Sequence, residues 1–139
     1  MYFRKNVKLS KQIADRTVTV ESQKLLLEIN KQYLSDPTLF AIYKDYPGRD
    51  QLLKDPKFLD KLKALGYLKL NVFEIVFAAL PTEGSSYKAW EAYFEDSLKR
   101  CPVLVEELSA QREIYDSHLI AAYDRWFEKQ PKTPRYRPC

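Results

Sequence analysis

Glycine occurs only three times in this 139-residue chain, as Gly48, Gly66 and Gly84, and that scarcity narrows the fold more than any other feature. A β-sandwich or barrel needs many tight turns, and those turns draw on Gly, Asn-Gly or Asp-Gly. None of these hairpin dipeptides occurs. A loop that cradles phosphate needs clustered glycines, and these three lie far apart. The eight prolines supply the punctuation instead. Asp36-Pro37, Asp55-Pro56 and Cys101-Pro102 each read as a helix start. The first turn of a helix tolerates proline's missing N–H, and a preceding Asp caps the free N–H groups.

Between these marks, apolar residues recur at helical spacing. The first helix is expected from about Asn6 to Leu34. Ile13, Val20, Leu27 and Leu34 recur every seventh residue, and Leu25, Leu26, Ile29 and Tyr33 widen the stripe in its second half. The β-branched run Thr17–Val20 favours a strand locally, but no second strand nearby would pair with it. A short helix is expected from Pro37 to about Lys44, then a turn over Asp45–Asp50 around Pro47-Gly48. The third helix spans about Pro56 to Leu80 and is apolar nearly all round after Leu70, the pattern of a central, buried helix. Ser85 or Ser86 caps a fourth helix, about Tyr87 to Arg100, with the stripe Tyr87, Trp90, Phe94 and Leu98. A fifth helix follows from Pro102 to about Tyr115. A sixth, about His118 to Lys129, is capped by Asp116 or Ser117 and carries Leu119, Ala122, Tyr123, Trp126 and Phe127 on its apolar face.

The sum is an all-α fold: a single-domain antiparallel helical bundle of about five to six helices with a long N-terminal helix. The expected organisation is a basic segment over 1–16, the bundle over 17–129, and a basic, Pro-rich tail over 130–139. Composition agrees. The hydrophobic share of 45% and charged share of 30% are globular values, and the aromatic share of 14% excludes disorder of the whole chain. The longest apolar run, Val72 to Leu80 broken by Glu74, falls far short of the roughly 20 residues of a membrane span. Cys101 and Cys139 form no CxxC and no Cys/His cluster, so neither a metal nor a cofactor is expected. The lack of a signal-peptide pattern points to a reducing, cytoplasmic compartment.

Few residues could carry chemistry. Asn71 and Glu74 lie three apart within the most apolar stretch, as a candidate buried polar pair. A carboxylate in apolar surroundings gains a raised pKa and can act as a general acid or base; the alternative is a structural contact with a neighbouring helix. His118 is the only histidine, too few for a di-iron bundle and more simply read as a first-turn surface residue. Cys101 at a helix start could be an activated thiol or a small packing residue. The aromatics Tyr87, Trp90, Phe94, Tyr123, Trp126 and Phe127 could stack bases, but helical spacing assigns them to a core.

Charge is distributed unevenly. Residues 1–16 hold five basic residues, Arg4, Lys5, Lys8, Lys11 and Arg16, and one acid, while residues 129–139 hold four basic residues and no acid. The remainder is net negative, so the overall charge of +4 resides in the two ends. Arg4, Lys5, Lys8, Lys11, Arg16, Lys132, Arg135 and Arg137 are therefore candidate anion-binding residues. They would suit an anionic membrane surface first and nucleic acid second; the alternative is a pair of solubilising ends.

Leu25-Leu26-Leu27-Glu28-Ile29-Asn30, then Tyr33-Leu34 with Asp36-Pro37, Leu39-Phe40 and Tyr43, then Leu70-Asn71-Val72-Phe73-Glu74-Ile75, then Trp90 with Tyr93-Phe94 appear in that order. Over about Ser22 to Phe127 the chain resembles the helical domain of small bacterial proteins of unknown function. Many of those carry one membrane span before the first long helix. The resemblance implies a helical domain that works near a membrane, with no activity attached. The expected function is a non-enzymatic protein-interaction module, cytoplasmic or membrane-peripheral, that docks a partner or a second copy through Ile13, Val20 and Leu27. Alternatives are a small enzyme or ligand-binding protein centred on Glu74, and a nucleic-acid binder using the basic ends.

Overall fold

The structure is a computed structural model describing residues 2–131, with side chains from Ser10 onward apart from Lys11. Every described element is helical: α1 (Tyr2–Ser35), a 3₁₀ turn (Pro37–Ile42), α2 (Arg49–Leu52), α3 (Pro56–Ala79), α4 (Ser85–Arg100), α5 (Pro102–Ala110), a second 3₁₀ turn (Arg112–Ile114) and α6 (Ser117–Glu128). The all-α reading holds, with the long N-terminal helix in place.

The proline starts form as their chemistry dictates. The Asp36 carboxylate accepts the Thr38 N–H at 3.2 Å, and that of Asp55 accepts the Lys57 N–H at 3.0 Å. Cys101 begins α5 without a side-chain cap. Three boundaries differ from expectation. The Gly84 N–H closes a turn onto the Pro81 carbonyl at 3.1 Å, so Gly84 becomes the N-cap of α4 and neither serine takes that position. Gly48 holds φ +78 in the Pro47-Gly48 turn, a conformation that costs glycine nothing, and the chain winds straight into the single turn of α2. The fifth helix stops at Ala110 rather than Tyr115. That break lets Arg112 form a two-pronged ion pair with Asp124 of α6, at 2.8 and 3.0 Å, and lets the Tyr115 hydroxyl reach back to Glu107 at 3.1 Å.

α3 is the hub, packed by α1, α4, α5 and α6. Its inward face carries Leu62, Leu65, Leu70, Val72, Phe73, Val76 and Phe77, all buried. Opposite Gly66, α5 comes so close that a Cβ would stand 3.2 Å from Val103 and 3.3 Å from Leu104, so a larger residue there would have to push those side chains back by a few tenths of an ångström. At the α3–α4 contact the ring of Phe94 lies 4.9 Å from Phe73 and 5.2 Å from Phe77, with Trp90 meeting Phe73 edge-on. The two ends of α4 and α6 are laced by Arg125, which donates to the Tyr87 hydroxyl at 2.6 Å and to Glu91 at 2.7 Å.

α1 and α3 run antiparallel: Leu25 shares a groove with Ile75, while Ser35 and Asp36 share one with Lys61. The inward side of α1 is Ser22, Ile29 and Tyr33, with Val18 and Leu26 partly covered. The sevenfold column Ile13, Val20, Leu27 and Leu34 lies on the opposite side of the helix, because 3.6 residues per turn turns these positions well away from residues 22, 29 and 33. The expectation that α3 is buried on all sides is corrected. Ile75 is 49% exposed, and Ala78 and Ala79 are exposed with it, because the surrounding helices leave one side of α3 open. No described helix is long and apolar enough to cross a membrane.

Candidate interaction surfaces and a buried lysine

The outward column of α1 is a line of apolar side chains left exposed by the other described residues. Ile13 is 59% exposed, Val20 41%, Leu27 56% and Leu34 84%. Two local ion pairs flank it, Lys24–Glu21 at 3.2 Å and Lys31–Glu28 at 2.8 Å.

Glu74 and Asn71 do not form a buried pair. Asn71 is exposed and lines the groove between α1 and α3, whereas Glu74 is half-buried and turns toward α6. There Glu74 Oε2 accepts the backbone N–H of Asp116 at 2.8 Å. Asp116 in turn caps α6, its Oδ1 accepting the His118 N–H at 2.8 Å and lying 2.9 Å from His118 Nδ1. These contacts from His118, its backbone N–H above all, hold the Asp116 carboxyl below the usual carboxylate range. Glu74 is therefore an anchor for the start of α6. Replacing it with Gln keeps an acceptor, and the expected change in stability is small. Glu74→Ala strands the Asp116 N–H and is expected to cost about 1–2 kcal/mol. Urea unfolding of the two variants decides it: equal midpoints for Ala and wild type would show that the contact contributes nothing.

The remaining chemical candidates are separated from one another. His118 is exposed beside Asp116, whereas Cys101 is fully buried at the junction of α4 and α5. Burial pushes the Cys101 thiol up, against the opposing pull of the Lys69 and Arg100 cations. A thiol so placed packs rather than reacts. Arg16 is exposed along the groove between α1 and the start of α4. The side chains of Arg4, Lys5, Lys8 and Lys11, and all of Lys132, Arg135 and Arg137, lie outside the described residues. Among the described residues, no group of three or more His, Cys, Asp and Glu side chains gathers as a metal ion requires.

Of the neighbours Leu68 and Lys69 on α3, the lysine is the one turned inward. Lys69 is 3% exposed and Leu68 49%. The Lys69 ammonium donates to the Tyr43 hydroxyl at 3.3 Å and stands over the rings of Tyr43 and Tyr33, 5.1 and 5.4 Å from their centroids. Arg100 lies 4.6 Å from the Tyr43 ring. None of the ion pairs among the described residues includes Lys69. Cation–π contact thus stands in for a carboxylate. Among the described residues the buried Tyr33 hydroxyl has no hydrogen-bond partner, and burial, then the neighbouring Tyr43, pushes its ionisation far up. The one readable signal was periodicity: Lys69 falls seven after Leu62, four after Leu65 and four before Phe73.

Compared with known protein families, curated proteins and solved structures, the chain matches none.

Proposed function

We propose that this chain is a non-enzymatic helical interaction module whose partner-binding element is the outward column of α1. The observation that carries the reading is the exposure of Ile13, Val20, Leu27 and Leu34 on the side of α1 that faces away from the domain. Selection for folding alone does not call for four large apolar residues at regular intervals along a solvent face. A second helix laid along them would bury all four, and sevenfold spacing keeps such a contact in register over several turns. The exposed ion pairs beside the column would form the rim and set orientation more than affinity. Glu74, the residue an enzyme reading would use, is engaged by the backbone of Asp116. That favours docking over catalysis.

The test is sedimentation of the wild-type chain beside Ile13→Asp plus Val20→Asp. Both residues are exposed within the domain, so the unfolding midpoint should stay near that of wild type. In the presence of a partner captured from the native source, the weight-average mass should fall relative to wild type as the column loses that partner. Equal masses for the two proteins over a wide concentration range, together with equal retention of any partner captured from the native source, would remove the proposal.

A further inference from the structure

The second half of α3 has an outer face without charge. From Ala64 to Thr82 the chain contains two charged residues: Lys69 is buried among tyrosine rings and Glu74 is held by the Asp116 N–H. Along its outer seam Ala64, Leu68, Asn71, Ile75 and Ala78 face solvent, preceded by Lys61, with Tyr67 and Ala79 exposed beside it. The steps between these positions are three, four, three, four and three residues, the alternation of a two-helix seam. Leu68 and Ile75 are each 49% exposed, and Leu25 of α1, 44% exposed, extends the patch sideways.

We propose that this face of α3 pairs with the same face of a second copy, antiparallel about a two-fold axis near Asn71. Three features select a second copy as the occupant. First, the face is self-complementary in shape. Antiparallel pairing about Asn71 lays Leu68 of each copy across from Ile75 of the other, and Ala64 across from Ala78, so the large residues meet in the middle of the seam and the alanines let its ends approach closely. Second, it is self-complementary in charge. The seam begins on Lys61 and is followed by the exposed Glu83. Antiparallel alignment brings each Lys61 toward the end that carries the other copy's Glu83, whereas parallel alignment stacks like charges at both ends. Third, the two-fold axis brings Asn71 against Asn71 of the other copy, where the two side-chain amides can each donate to and accept from the other and so fix register. Residue i meeting residue j and j meeting i is the definition of a closed, two-fold interface. This surface is distinct from the outward column of α1, which the pairing leaves free.

Sedimentation equilibrium of the full chain is expected to give twice the 16.4 kDa mass of one copy. Leu68→Glu plus Ile75→Glu is expected to give one copy at all concentrations, with helical content by circular dichroism unchanged. Lys61→Glu should weaken association several-fold, and Lys61→Glu with Glu83→Lys should restore it. Restoration is an outcome that simple unfolding cannot imitate. A wild-type mass of 16.4 kDa at every concentration, a doubled mass that survives Leu68→Glu plus Ile75→Glu, or a charge swap that fails to restore association would each overturn the proposal. Ile13→Asp plus Val20→Asp should leave this dimer intact, so failure of the α1 reading and failure of this one are told apart.

Discussion

Phe94→Ala is expected to remove about 3–5 kcal/mol of stability, the range for truncating a large buried aromatic, and that is a large part of what holds a domain of this size folded. Phe94 is fully buried and its ring touches both Phe73 and Phe77 of α3. Its removal leaves a void lined by rings that have no flexible group able to collapse into it. Phe94→Leu, which fills much of the same space, should recover a good share of the loss. Urea unfolding followed by circular dichroism measures both. A loss below about 1 kcal/mol for Phe94→Ala would mean that α4 is free to shift onto α3, and that the aromatic cluster does not fix the distance between them.

The second large effect runs in the opposite direction. Lys69→Met is expected to raise stability by roughly 1–3 kcal/mol, because removing a buried charge and keeping its volume is often stabilising. The ammonium has been taken out of water without a carboxylate in return. Its compensation is one 3.3 Å hydrogen bond to Tyr43 and the faces of two tyrosine rings. Methionine keeps the packing, and the half-buried Tyr43 hydroxyl can turn to water. Lys69→Ala should destabilise instead, since it loses the stem that fills the space between α3 and Tyr33. Thermal unfolding of the three proteins at one pH separates the cases. If Lys69→Met proves less stable than wild type, the two rings offset the desolvation of the charge in full, and the cluster is a net source of stability.

Helix existence was legible because it rests on local chemistry. The Asp-Pro starts at 36 and 55, the buried stripe of α4 from Tyr87 to Leu98, and the Asp116 cap of α6 all follow from rules that reach no further than four residues. What the pattern could not convey is which way an apolar column faces. On α1, Ile13, Val20, Leu27 and Leu34 have the more regular spacing, yet the helix turns Ser22, Ile29 and Tyr33 inward. The deciding factor is tertiary: the inward face must meet α3 and the ring of Phe40, stacked 4.5 Å from Tyr33. The same holds at Leu68 and Lys69, where hydropathy alone predicts the reverse of what forms. Glu74 shows a further limit. Its apolar sequence neighbours suggest a buried acid, but its partner is a backbone N–H forty-two positions away, and no local rule points to it.

The short connection between α3 and α4 has a kinetic consequence. The aromatic rings that join the two helices come from segments separated by a single turn over Leu80–Gly84, so little chain entropy is lost in bringing them together. Contacts made across short loops form early and set the pace of folding. The α3–α4 hairpin is thus placed to be the nucleus on which α1, arriving from one side, and α5 with α6, arriving from the other, condense. In such an order the open side of α3 is presented to solvent from the first moments of folding. The absence of charge along it is then a hazard as well as an opportunity, and rapid closure by a matching surface would keep newly made chains from sticking to one another at random.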